Sequence, residues 1–276
     1  MSARLALLVA TILSSTLAAV SPAQPTVEEL LKIVRATDPQ HRETLFELLQ
    51  PVVLSNCELQ RFGEPNDGGY LMCGNLLGEV EAGYSYGIAN YDGWGCDVAT
   101  RLRVPLHQYD CFDTRQPACR SGKTVFHAEC VAESRKTEAG RIFDTLQNQF
   151  ARNGDAAKRL VVKMDVEAAE WDSLLHASDE TLQRIDQLAI ELHGMHEAQH
   201  IEVVNRLKQF FHIVHIHFNN NTCVTGIEPF PAWAYEVLFV SKRIGTVDTT
   251  KHWPGAHKLA TPADPKRPDC QTVGSP

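Results

Sequence analysis

Apolar positions along this chain recur with two different periods. Val27, Leu30, Leu31 and Val34 are three or four residues apart, the spacing of one helical face. Thr26, with Glu29 three residues on, forms a capping box ahead of that run, and Asp38-Pro39 stops it. A second helix carries Leu45, Phe46, Leu48 and Leu49 and ends near Pro51. Both read as cover for a sheet. Stretches 57–62 and 70–73 then flank Glu64-Pro65-Asn66-Asp67-Gly68-Gly69. That interior is dense in turn formers, which predicts a small β-hairpin.

From Tyr84 onward, short apolar runs alternate with helical ones. Residues 84–88, 106–110, 124–128, 160–165 and 187–192 read as strands one to five. Helices are expected around 97–102, 170–175 and 201–211, and over 139–150 with Ile142, Phe143, Leu146 and Phe150 on one face. Residues 212–218 and 235–241 close the sheet as an antiparallel pair. Such alternation predicts an α/β fold: a mostly parallel, seven-stranded sheet with helices on both faces. The organisation is a leader (1–23), an N-terminal helical segment (24–56), the main domain (57–245) and a tail (246–276). Pro254, Pro262, Pro265, Pro268 and Pro276 mark the tail as extended or disordered. No internal repeat is evident.

Composition narrows the function classes. The 276 residues are 43% hydrophobic and 22% charged, proportions that support a sizeable core. The net charge is −8 and no long Lys/Arg run occurs, so the electrostatic footprint of a nucleic-acid binder is missing. Arg4, the apolar stretch 5–13, small residues through Val20 and then Ser21-Pro22-Ala23 follow the order of a secretory signal. The alternative is a retained single-pass anchor, although Ser14 and Ser15 interrupt the apolar run, which is short of the ~20 residues a span needs. The expected location is therefore secreted or in the secretory-pathway lumen, with membrane contact only if the segment is retained. Eight cysteines fit that setting. Cys57 and Cys73 flank one turn, Cys111, Cys119 and Cys130 cluster, and Cys270 can reach Cys223; buried free thiols are the alternative. No CxxC pair suggests a zinc ribbon.

In an open parallel sheet, ligands bind beyond the carboxyl ends of the strands. Strand one leads into Gly87-Ile88-Ala89-Asn90-Tyr91-Asp92-Gly93-Trp94-Gly95, a glycine-containing loop without the GxGxxG pattern. Strand two ends at Asp110, placed to accept from ribose hydroxyls. Strand four ends in Lys163-Met164-Asp165-Val166-Glu167, followed by Glu170 and Trp171. Strand five ends in Glu191-Leu192-His193, where period two puts Glu191 and His193 on one side. His215 and His217 likewise share a side, with Asn219 and Asn220 beyond. Asp165, Glu167, Glu191, His193 and His217 thus gather along one edge, suited to acid/base work. A divalent metal held by Asp165, Glu191 and His193 is the alternative chemistry; the main reading assigns no metal ligand. Asn220-Asn221-Thr222 matches a glycosylation sequon at the same edge.

An ordered set of segments resembles the FkbM-like methyltransferases, in particular the branch of methyltransferase-like protein 24. The pieces are Arg61-Phe62-Gly63 with Asp67-Gly68-Gly69-Tyr70, Tyr84-Ser85-Tyr86-Gly87-Ile88, His107-Gln108-Tyr109-Asp110 and Phe126-His127. Lys163-Met164-Asp165-Val166-Glu167 is the most distinctive, with Ala169-Glu170-Trp171 after it. The stretch 187–193, His217-Phe218-Asn219-Asn220 and Tyr235-Glu236 complete the set. The resemblance implies a class I, Rossmann-like methyltransferase fold and S-adenosylmethionine (SAM) as methyl donor. It further implies O-methylation of a hydroxyl on a small-molecule or glycan acceptor. Carried over by position, Tyr86, Gly87, Ile88, Asn90, Asp110 and Cys111 would hold the cofactor. Asp165, Glu167, Glu191 and His193 would be catalytic, with His193 or Asp165 as base, and His217, Asn219 and Asn220 would face the acceptor. Where the family has Glu-Gly-Ala-Glu after strand four, this chain has Glu167-Ala168-Ala169-Glu170; a position needing positive φ would make Ala168 costly. The rival to catalysis is an exported module that keeps the fold alone, since SAM is made in the cytosol.

Overall fold

The computed structural model describes residues 27–255 and 257–270. The expected leader (1–23) and Thr26 of the capping box lie outside the described residues. Helix α1 (Val27–Ala36) is followed by α2 (Pro39–Leu48), which Asp38 caps by accepting the Gln40 N–H at 3.0 Å. Pro39 stands in the first turn, where its missing N–H costs nothing. Strands β1 (Leu59–Phe62) and β2 (Tyr70–Cys73) form the expected hairpin.

The chain then alternates. Strand β3 (Ala82–Tyr86) leads into α3 (Gly93–Arg101), then β4 (Leu106–Tyr109) and β5 (Thr124–His127). A three-stranded sheet follows: β6 (Glu129–Val131), β7 (Lys136–Glu138) and β8 (Arg141–Asp144). Next come α4 (Leu146–Arg152), β9 (Leu160–Met164), α5 (Ala169–Leu175), α6 (Asp179–Arg184) and β10 (Ile185–His193). Helix α7 (Ala198–Phe210) and strands β11 (Phe211–Phe218) and β12 (Ala234–Ser241) finish the order.

Seven strands form one sheet in the order β11-β12-β10-β9-β3-β4-β5. All neighbours pair in parallel except β12, which is antiparallel to both β10 and β11. From β3 the chain steps outward to β4 and β5, then returns to β9 on the other side of β3. The order therefore reverses between β3 and β9, and the crevice at their carboxyl ends is the topological switch point.

Each sheet face has its own core. Tyr84, Val162, Leu188, Ile190 and Phe239 pack with Leu45 of α2, Leu49 just after it, Trp171 of α5 and Val203 and Leu207 of α7. On the opposite face Leu106, Val161, Ala189 and Leu238 pack with Trp94 and Val98 of α3 and with Phe62 and Met72 of the hairpin. Burying one such side chain contributes about 1.5–3 kcal/mol. The hairpin is also clasped to the sheet by Gln187, whose side-chain amide both accepts from the Cys73 N–H and donates to its carbonyl at 2.9 Å. This pairing lets a polar residue sit in the fully buried strand β10.

The helix expected over 139–150 is a correction: β8 occupies 141–144 and α4 begins only at Leu146. Ala139 and Gly140 have φ of 47° and 78°, a turn that breaks a helix and reverses the chain from β7 into β8. Thr145 then caps α4 by accepting the Asn148 N–H at 3.3 Å. Ile142 and Phe143, adjacent on β8, point to opposite faces and leave Ile142 exposed; their fit to a helical face alone misassigned them.

All eight cysteines are paired: Cys57–Cys73, Cys96–Cys119, Cys111–Cys130 and Cys223–Cys270. The free-thiol alternative is thereby excluded. The Cys119 partner lies outside its cluster, on α3. Four disulfides fit an oxidising, secreted or lumenal environment. No described helix is long and apolar enough to cross a membrane. The described part of the tail forms no helix or strand but is tied down at several points. Val247 bridges to Leu54, Arg61 Nη1 donates to the Leu259 carbonyl at 3.2 Å, and Asn66 Nδ2 donates to Pro262 at 2.8 Å. Side-chain donors suit such a segment, because its prolines leave carbonyls without matching N–H groups.

Candidate functional site at the carboxyl edge

The loop after β3 is shaped by close approach. Gly87 has φ +69°, and a Cβ there would lie 1.6 Å from the Asp165 carbonyl oxygen, so only glycine passes. Ala89 and Asn90 follow with φ of 41° and 68°. Asp110 holds this loop: one carboxylate oxygen accepts the N–H groups of Ile88 and Ala89 at 3.1 and 2.9 Å. The other accepts those of Phe112 and Asp113 at 2.8 and 2.9 Å. Four backbone donors occupy the residue that sequence reasoning placed on a ribose. Cys111 is buried in its disulfide, and Tyr86 is buried and stacked on Tyr109 at 4.9 Å. Both support the loop from below. Tyr91 and Phe112, by contrast, are 59% and 69% exposed on the two loops, and the Arg141 guanidinium lies 4.5 Å from the Phe112 ring centre.

Asp92 escaped the sequence reading. It is buried, caps α3 through the Gly95 N–H at 2.8 Å, and accepts from Ser85 Oγ at 3.0 Å and Gln108 Nε2 at 2.8 Å. Burial pushes its carboxyl pKa up, against the Gln108 bond and the Lys163 charge. The available signal was a polar Ser85 and Gln108 in otherwise apolar strands.

Beyond β9 the chain builds an acidic corner. The Lys163 ammonium is buried and donates to the Gly87 and Tyr86 carbonyls at 2.8 and 3.3 Å, and to Asp165 Oδ2 at 3.4 Å. Tyr70 OH donates to the same Oδ2 at 3.2 Å, so the hairpin completes the corner. Glu167 and Ala168 both adopt left-handed backbone, φ 53° and 78°. Position 168 therefore does require positive φ, at a cost of roughly 1–2 kcal/mol for alanine. The turn presents Glu167, whose side chain is 87% exposed.

Glu170 is fully buried at the start of α5, and its Oε1 accepts from both the backbone N–H and ring Nδ1 of His193, at 2.7 and 3.1 Å. Trp171 Nε1 donates to the His193 carbonyl at 2.8 Å. His193 Nε2 then lies 3.7 Å from Glu167 Oε2 and 3.9 Å from Asp165 Oδ1. Burial alone would lower its pKa, but Glu170, Glu191 and Asp165 outweigh that and lift it to about 9. The ring therefore carries a proton at neutral pH. Burial, reinforced by Asp165, raises the pKa of neighbouring Glu191, whose Oε1 accepts from Asn219 Nδ2 at 2.8 Å.

The structure thus brings Asp165, Glu167 and His193 together, with Glu191 and Asn219 alongside. His217 lies further along, 3.8 Å from Glu236 and 3.4 Å from Asp269 of the tail. Burial opposes a proton on His217, yet those two carboxylates raise its pKa overall. Asn220 is buried and committed to the tail: Nδ2 donates to the carbonyls of Asp264, Arg267 and Pro268, and Oδ1 accepts the Asp264 N–H. A glycan at this sequon is incompatible with that packing. No protein-family model matches the sequence, and no curated protein matches it.

Proposed function

We propose that this chain is a SAM-dependent methyltransferase working at the carboxyl edge on a hydroxyl of a sugar or other small molecule. The observation that carries the reading is the convergence of Asp165, Glu167 and His193 at the switch point, next to the Gly87 loop. The sheet supports it too: a doubly wound order closed by an antiparallel hairpin is the layout that the class I methyltransferase resemblance implies.

The residues present suit the cofactor in charge. A sulfonium is cationic, and the corner sets the carboxylates of Asp165, Glu167 and Glu170 against Lys163 and His193. The exposed rings of Tyr91 and Phe112 offer faces for a planar base. Gly87, Ile88 and Asn90 would approach it through backbone, whereas Asp110 would act by holding that loop. When bound, the cofactor supplies an electrophilic methyl group. The protein's part is to orient the acceptor oxygen, exclude water and take its proton. Asp165 is a better base than His193, because its Oδ1 makes no hydrogen bond among the described residues while His193 already holds a proton. Glu191, with its raised pKa, is suited to holding a proton near the acceptor.

Titration calorimetry of SAM into oxidised, purified protein tests the proposal. One cofactor per chain is expected, with weakening in Phe112→Ala, an exposed position that leaves the core intact, and loss in Asp110→Ala. Absence of heat in folded protein would remove the methyltransferase reading. One observation favours a second reading, an exported module with the fold but no catalysis: Asn220 and His217, expected to face an acceptor, are engaged by the tail.

A further inference from the structure

We propose that Asp165, Glu167 and His193 form a binding site for one divalent transition ion, Mn²⁺ being the simplest occupant. Each offers one ligand atom, and the three atoms lie within 4.8 Å of one another.

Each ligand is aimed from outside the group. Glu170 takes His193 Nδ1, leaving Nε2 as the ring nitrogen that faces the carboxylates; an incoming ion displaces the Nε2 proton to solvent. A buried carboxylate behind an imidazole is the usual outer-shell support of a metal-binding histidine. Tyr70 and Lys163 occupy Asp165 Oδ2, leaving Oδ1 toward the histidine. Glu191 stands outside the group, since Asn219 engages its Oε1; the ligand set therefore differs from the Asp165, Glu191 and His193 of the alternative metal reading.

A separate observation concerns His193 itself. The residue is only 7% exposed, yet its Nε2 makes no hydrogen bond among the described residues. The carboxylate oxygens it faces are 3.7 and 3.9 Å away. A direct charge-assisted hydrogen bond would close to about 2.7–2.9 Å. Ligands sharing one ion through bonds of about 2.0–2.2 Å sit roughly 3–3.5 Å apart, so Nε2 and the carboxylates, 3.7 and 3.9 Å apart, would close in by a few tenths of an ångström around it. The donor set also selects the ion. Two carboxylates suit Mn²⁺, and the imidazole disfavours purely oxygen-seeking Mg²⁺ and Ca²⁺. Three protein ligands leave coordination positions open toward the edge. The use of such an ion to bind an acceptor hydroxyl and lower its pKa rests on the methyltransferase reading; the binding of the ion does not.

The test is a titration of Mn²⁺ alone, without SAM, into the oxidised protein, followed by the electron paramagnetic resonance signal of free Mn²⁺. One ion per chain is expected, displaced by Zn²⁺ as the stability order of divalent ions requires. Glu167→Gln and His193→Ala should each weaken binding about tenfold or more, and Glu170→Gln should weaken it through the histidine. Glu167 is exposed, so its variant keeps the fold, and circular dichroism checks the other two. No binding at millimolar Mn²⁺, or binding unchanged in Glu167→Gln and His193→Ala, overturns the proposal. SAM calorimetry without metal reads the methyltransferase proposal separately, so either can fail alone.

Discussion

Glu170 accepts two hydrogen bonds from one residue, the backbone N–H and ring Nδ1 of His193, and is itself fully buried. The first turn of α5 is thereby fixed to the end of β10. Glu170→Ala strands a buried N–H and the ring nitrogen, which costs about 1–3 kcal/mol for each unmet group. Glu170→Gln keeps an acceptor and should lose markedly less. Urea denaturation of the two variants measures the difference; equal losses would mean that the second oxygen, or mere packing, matters more than these bonds.

Ala168 sits at φ 78°, directly after Glu167 at φ 53°. Left-handed backbone is strained for alanine and unstrained for glycine. Ala168→Gly should therefore stabilise the protein by about 1 kcal/mol, since relief of strain exceeds the added freedom of the unfolded chain. A shift of the urea midpoint upward at unchanged slope is the expected result.

Much of this geometry was readable from sequence, for identifiable reasons. The central parallel strands are mostly apolar, and the acids at their ends could not lie in the core unpaired, so the end of strand four placed Asp165, and period two placed Glu191 and His193, on one edge. Partners were not readable. Whether Asp110 meets a ligand or four N–H groups depends on two loops whose left-handed residues, Ala89 and Asn90, carry no glycine signature. The docking of the tail depends on Asn220, whose sequon suggested exposure. The hairpin's contribution of Tyr70 to Asp165 is a long-range contact that no local pattern encodes.

Asn220 offers a measure of the tail's attachment. Its Nδ2 faces three tail carbonyls, at 2.9 Å from Asp264, 3.0 Å from Arg267 and 3.3 Å from Pro268. Asn220→Ala removes these donors while the Cys223–Cys270 disulfide still tethers the segment. Hydrogen exchange at 264–267 should accelerate, with the sheet strands unchanged. Replacing both Cys223 and Cys270 with Ser in that background should free the tail further and expose it to proteolysis. Unchanged exchange in Asn220→Ala would assign the docking to the disulfide alone.

Three buried histidines set the acid limb of stability. His200, stacked on Trp171 at 4.0 Å, has its pKa lowered to about 3, by burial first and then by His196 and His41. His215 is lowered to about 3 by burial and by His217, and His107 to about 4 by burial against the opposing pull of Asp155. All three folded values lie below the ordinary 6.5, so the unfolded chain binds more protons at intermediate pH. Their stabilisation is complete above 6.5 and is lost as pH falls from there toward 4, by up to about 1.4 kcal/mol per pH unit for each residue. His193 and His217 have the opposite sign: raised values weaken stability only as pH rises above 6.5. Most carboxylates take up protons mainly below pH 5, but Glu191, raised to about 8 by burial and by Asp165, holds its proton in the fold across this range and opposes the histidines. In the window from pH 6.5 to 5 the lowered histidines outnumber Glu191, so stability falls with pH. Urea midpoints across that window should fall steadily, and His200→Phe, which keeps the stack on Trp171, should flatten the slope measurably. A flat profile in the parent protein would show that these rings are hydrated and titrate normally.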